Sequence, residues 1–213
     1  MTERFPGYDV LAKRHSPSWN EKTRRVIDTR LAAPREPRFF TAAEFRTLEA
    51  ICGRILPQPA RRPPVPIGAM IDAKLFEGRG DGYRDSRLPP AGEAWRLSLA
   101  AFDAEARERY GCDFDAIDPA EQDSLLQAAQ NGELSNAAWR GMDSALLFSK
   151  QILLDVVMSY YGHPTAWSEI GFGGPASPRG YVRMDFDRRD PWEAAEAKPG
   201  REAQTRKANA RIG

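Results

Sequence analysis

Residues 135–160, SNAAWRGMDSALLFSKQILLDVVMSY, decide the fold class. Trp139, Met142, Leu146, Ser149, Leu153, Val156 and Tyr160 recur at steps of three and four, which stacks them on one face of a helix and predicts one long central helix from about Ser135 to Tyr160. Working back from it, Asp118-Pro119 with Glu121 reads as a capped helix start carrying Leu125, Leu126 and Ala129, and Asn131-Gly132 as its stop. Trp95, Leu99, Phe102, Ala106 and Tyr110 form another stripe, closed by Gly111. Ile67 to Glu77 is a shorter helix, and Thr41-Ala42-Ala43-Glu44 is a capping sequence for a helix bearing Phe45, Leu48, Cys52 and Ile55, stopped at Pro57. No segment alternates as a strand would, so the expected fold is an all-α bundle of about five helices.

Outside this bundle the chain changes character. Residues 1–38 are basic and proline-containing with sparse anchors, Phe5, Tyr8, Val10, Leu11 and Trp19, and an expected short helix from Asn20 to Leu31. They read as an extended arm that lies across another surface, either the chain's own bundle or a second polypeptide. Residues 160–183, YYGHPTAWSEIGFGGPASPRGYVR, are rich in glycine, proline and aromatics without a period of their own. That composition reads as an ordered, irregular loop, serving as a cap on the bundle or as a contact surface. The division expected is therefore arm 1–38, helical domain 39–183 including the loop, and a charged tail 184–213 that frays.

Composition narrows the function classes. Thirty-one basic side chains stand against thirty acidic ones, a net charge of +1, which supplies no field favouring nucleic acid. No apolar run approaches the roughly 18 to 20 residues that span a bilayer. Arg24-Arg25 is followed only by Val26 and Ile27 before Asp28, so it does not read as an export signal and the expected compartment is the cytoplasm, or the periplasm if a partner carries the chain there. Cys52 and Cys112 are too few for a disulfide framework or a four-ligand zinc site, and whether they pair stays open.

Catalytic constellations are thin. His15 and His163 lie far apart in sequence, neither Ser168 nor Ser177 sits in a nucleophile elbow, and Phe172-Gly173-Gly174-Pro175 lacks the order of a dinucleotide loop. Asp185, Asp187 and Asp190 lack the glycine and closing glutamate of a calcium loop. No catalytic, cofactor or metal residue is assigned. The candidates are contact residues: Tyr8, Trp19, Tyr161, His163, Trp167, Glu169, Phe172, Arg179 and Tyr181, with Trp19, Trp167 and Arg179 as central anchors. Two other readings stand beside this one, an enzyme working through His163 and Glu169, and a self-associating helical protein.

Several segments together resemble a known family. Phe39-Phe40-Thr41-x-x-Glu44-Phe45 with Leu48 and Ile55-Leu56-Pro57, then Ile67-Gly68-Ala69, Tyr110-Gly111 with Phe114, and Tyr161-Gly162 ahead of Trp167-x-x-Ile170-Gly171-Phe172, are similar to the gluconate 2-dehydrogenase subunit 3 family over about Phe39 to Phe172. The resemblance implies a non-catalytic small subunit, itself without flavin, that supports an FAD-containing large subunit of the glucose-methanol-choline class oxidising a sugar or polyol hydroxyl. Family members often carry a twin-arginine signal; this sequence departs from that pattern, and also in Pro164-Thr165-Ala166 and the extension from Gly173 to Arg183.

Overall fold

The computed structural model describes residues 3–32, 36–58, 63–175 and 193–212. Every regular element among them is helical: α1 Glu21–Leu31, α2 Ala42–Ile55, α3 Ile67–Phe76, α4 Ala91–Tyr110, α5 Pro119–Asn131, α6 Ser144–Leu147, α7 Leu153–Gly162, α8 Pro164–Ile170 and α9 Glu202–Asn209, with short 3₁₀ turns between some of them. The all-α expectation holds. Contacts divide the chain into two compact units, one made of residues 1–32, 60–65 and 161–213, the other of 33–59 and 66–160.

In the second unit, α2 and α5 start where the sequence marks them. Thr41 Oγ1 accepts from the Glu44 amide at 3.3 Å while the Glu44 carboxylate accepts from the Thr41 amide at 2.8 Å, and Glu121 likewise accepts from the Asp118 amide at 3.1 Å. These reciprocal bonds satisfy amides that have no partner inside the helix. Gly111 closes α4 at φ 83°, a conformation that L side chains resist. Ahead of α2, the buried Asp72 carboxylate collects the Arg38, Phe39 and Phe40 amides at 2.8 to 2.9 Å and so fixes where the helix begins. Trp95, Leu99, Phe102, Ile51 and Leu125 form the interior, and the Phe102 ring sits 5.4 Å from both Phe114 and Trp139.

The central helix differs from the expected one. It is interrupted at Arg140 and Gly141, both at positive φ, so Trp139 ends a separate 3₁₀ turn and the continuous helix begins at Ser144. Asp143 caps it, accepting from the Ala145 amide at 2.8 Å. Between α6 and α7 lies a π-helical turn, Phe148–Ile152, whose wider winding rotates everything after it. The buried stripe is consequently Leu147, Phe148, Ile152, Val156 and Tyr160, whereas Ser149 and Leu153, expected inside, are exposed. Two polar residues, Gln151 and Asp155, are buried on the inner face.

The first unit is assembled from chain ends. Tyr8, Val10, Trp19, Ile27, Trp167, Ala194 and Ile212 share one core, with Phe5 and Leu11 packed against it. The segment expected to lie as an extended arm with a short helix from Asn20 to Leu31 contains that helix as α1, adds a 3₁₀ helix, Val10–His15, and is folded into this core. The segment expected to fray carries α9 and is pinned by Asn209, whose side-chain amide donates to the Pro6 and Ala195 carbonyls at 3.0 and 2.9 Å while its Oδ1 accepts from the Ala195 amide at 2.7 Å. A single buried asparagine thus satisfies three backbone groups, which a solvated tail would leave to water.

Candidate partner-binding surface

Residues 160–175, expected to be irregular throughout, hold the short helix α8. His163 is its N-cap: Nδ1 accepts from the Thr165 amide at 3.3 Å, Pro164 occupies the first helical position, and Gly171 ends the helix at φ 68°. Seven residues are too few for a helical period to stand out against the flanking glycines and prolines. The cap and the proline were the readable signals.

α8 is tied down from below. The Trp167 indole donates to the Tyr161 carbonyl at 2.7 Å, Ser168 Oγ accepts from the Val10 amide at 3.1 Å, and Arg30 donates to the Gly162 carbonyl at 2.8 Å with its guanidinium 5.7 Å from the centre of the Trp167 ring. Gly174 is required by close approach: at φ 69°, a Cβ there would lie 2.9 Å from Trp19. Phe172 stands edge-on to Trp167 with ring centres 5.4 Å apart.

The nine candidate contact residues therefore have different fates. Tyr8, Trp19, His163 and Trp167 are buried within this unit, so their local work is internal packing. Tyr161 and Phe172 are exposed together with Ile170, and Glu169 is half-buried beside them in sequence. Arg179 and Tyr181 lie outside the described residues, as do the three aspartates weighed for calcium. Large apolar side chains exposed in this way are what a contact surface presents.

His163 is only 4% exposed, with its Nδ1 engaged in the cap and its Nε2 enclosed. No hydrogen bond joins it to Glu169 among the described residues; the charge beside it is the Arg30 guanidinium. Burial first, and then the charge of Arg30, push its pKa below the ordinary histidine value, with a backbone group of Arg30 opposing. The neutral imidazole is thus the form that fits. Because the folded-state pKa is lowered, the histidine's contribution to stability is whole above the unfolded value near 6.5 and is lost as pH falls below it. Unfolding followed from pH 7.5 to 5 is expected to show the first unit weakening on acidification, and His163→Asn, which retains a capping oxygen, is expected to flatten that dependence. An unchanged pH profile in the variant would assign the acid sensitivity to other groups.

In the second unit the π turn and the 80–91 loop border a groove of about 480 Å³. Asp155, 2% exposed, lies at its base and accepts from Trp95 Nε1, Gln151 Nε2 and Lys74 Nζ, each at 2.7 Å. Lys74 also bonds Asp81 at 2.6 Å; burial opposes its charge, but the two carboxylates outweigh that cost and hold its pKa above the usual value. Nothing in the sequence singled out Asp155 beyond its interrupting an apolar run. Cys52 is buried and Cys112 half-buried, both free thiols; burial, then Glu49 and Asp155, raise the Cys52 pKa, which makes it unreactive. Among the described residues no cluster of metal-ligating side chains occurs, and no helix is long and apolar enough to cross a membrane.

Comparison with known proteins places the chain. Residues 42–174 match the family Gluconate 2-dehydrogenase subunit 3, well over half of the sequence, and the chain belongs to that family. No curated protein and no solved structure matches it.

Proposed function

We propose that this member of the gluconate 2-dehydrogenase subunit 3 family is a non-catalytic accessory subunit that binds and stabilises a flavin-dependent large subunit of the glucose-methanol-choline class. In this reading the FAD and the oxidation of a sugar or polyol hydroxyl belong to the partner, and the complex is cytoplasmic. The observation that carries it is the family match over 42–174. Two features support it: the one histidine of the matched region has both ring nitrogens enclosed, and Tyr161, Ile170 and Phe172 offer an exposed apolar edge braced by buried Trp167. A general acid or base must reach the proton it moves, and His163 does not reach the surface. A rigid support under exposed aromatics lowers the entropy cost of binding through them.

The test is purification of the tagged chain from its native host. A flavin-coloured complex is expected, and Phe172→Ala with Tyr161→Ala is expected to weaken it by about 2 kcal/mol or more, the scale of central interface anchors. A colourless, monodisperse monomer, or sugar oxidation by the isolated chain, would overturn the proposal.

A further inference from the structure

We propose that the groove between the 80–91 loop and the π turn of the second unit is a docking site for an extended segment of the catalytic partner, one that carries a carboxylate beside an apolar side chain. This rests on the accessory-subunit reading, and adds to it the place of contact and the chemistry of what docks there.

The charges of the groove are unequally committed. Each acid has an internal partner: Asp81 and Asp155 bond Lys74, and Asp85 is paired with Arg87 at 2.8 Å. The cations are less engaged. Among the described residues Arg84 donates only to the Leu88 carbonyl, and Lys150, exposed on the π turn, forms no hydrogen bond or ion pair, with Asp85 merely within electrostatic range. Three carboxylates thus stand against the four cations Lys74, Arg84, Arg87 and Lys150, and Arg84 and Lys150 bond no acid among the described residues, which is complementary to an incoming carboxylate.

The walls are apolar and exposed. Tyr83 is 83% exposed, the highest of any large hydrophobic residue described, and Leu154, which lines the same groove, is about half exposed. Met158 lies one helical turn beyond Leu154 on the same face of α7, so the apolar track continues past the end of the cavity. A small ligand would be contained by about 480 Å³, whereas a track that runs on along the helix suits a polypeptide. The π turn is part of the construction. Its extra residue brings Lys150 and Gln151 to the groove, and the Gln151 amide, spent on the Asp155 carboxylate, keeps the base rigid.

The test uses the full chain expressed in its native host with p-benzoylphenylalanine in place of Tyr83, and, in separate preparations, in place of Phe172 or of the exposed Gln127 on α5. On irradiation, position 83 is expected to cross-link to the flavin-bearing large subunit, identified by mass spectrometry, and position 127 not to. Lys150→Glu is expected to reduce complex affinity about tenfold at low salt, while Lys150→Arg retains it. A large subunit that co-purifies but is captured only from position 172 would overturn the groove assignment and leave the accessory-subunit reading standing. Cross-linking of position 83 to a second copy of this chain would overturn it as well. If no flavoprotein accompanies any variant, both readings fall together.

Discussion

Asp155→Ala is expected to destabilise the second unit by about 3–5 kcal/mol, a large part of the roughly 5–15 kcal/mol that holds a domain folded. The carboxylate is 2% exposed and satisfies three donors from three places in the unit, the Trp95 indole, the Gln151 amide and the Lys74 ammonium. Removing it leaves two buried donors unpaired and a mostly buried cation with Asp81 as its remaining partner. Each orphaned donor carries its own desolvation cost, which is why the loss exceeds that of one hydrogen bond. Asp155→Asn keeps the volume but turns an N–H₂ group toward donors, so it is expected to fall between wild type and alanine. Urea unfolding followed by tryptophan fluorescence measures both, and an alanine variant within about 1 kcal/mol of wild type would show that the network contributes little.

Trp19→Ala is expected to cost about 3–5 kcal/mol in the first unit, the range for deleting a large buried aromatic. Its ring is 1% exposed, shares a core with Tyr8, Val10, Ile27 and Trp167, and fills the space that Gly174 leaves by having no side chain. Local unfolding is the expected form of the damage: hydrogen exchange should accelerate through 163–174 and 193–212 while the amides of α4 and α5 stay protected. The alternative expectation from sequence, a contact anchor on an arm, makes a different forecast. It would have Trp19→Ala leave exchange unchanged and abolish complex formation alone.

Helix existence was legible because it depends on neighbours in the chain. Thr41 with Glu44, Asp118-Pro119 with Glu121, and Gly111 are local devices, and the structure places a helix end at each. Family membership was legible for a related reason: the segments from Phe39 to Phe172 recur in order, and the match over 42–174 needs no coordinates. The central helix shows where local reasoning stops. A strict three-and-four pattern assumes constant winding, and the left-handed pair Arg140-Gly141 and the π turn 148–152 each break it. Leu153 looked internal on that pattern and is exposed, while Asp155, which the pattern left out, is the buried centre of a network.

The contact residues divide on the same principle. Tyr161 and Phe172 lie on the surface, and Tyr8, Trp19, His163 and Trp167 do not, although all six belong to the same composition class of aromatic in an irregular segment. Residue spacing along the chain determined the all-α class borne out among the described residues and, through capping residues, where several helices start and stop, and composition determined that the chain lacks the charge excess of a nucleic-acid binder. Only the tertiary structure decided which aromatics are core, that the two chain ends fold together through Asn209 and Trp167, and that Lys74, Trp95 and Gln151 converge on one carboxylate. The reason is distance: a cap is set by residues three apart, whereas burial is set by whatever the chain brings back from a hundred residues away.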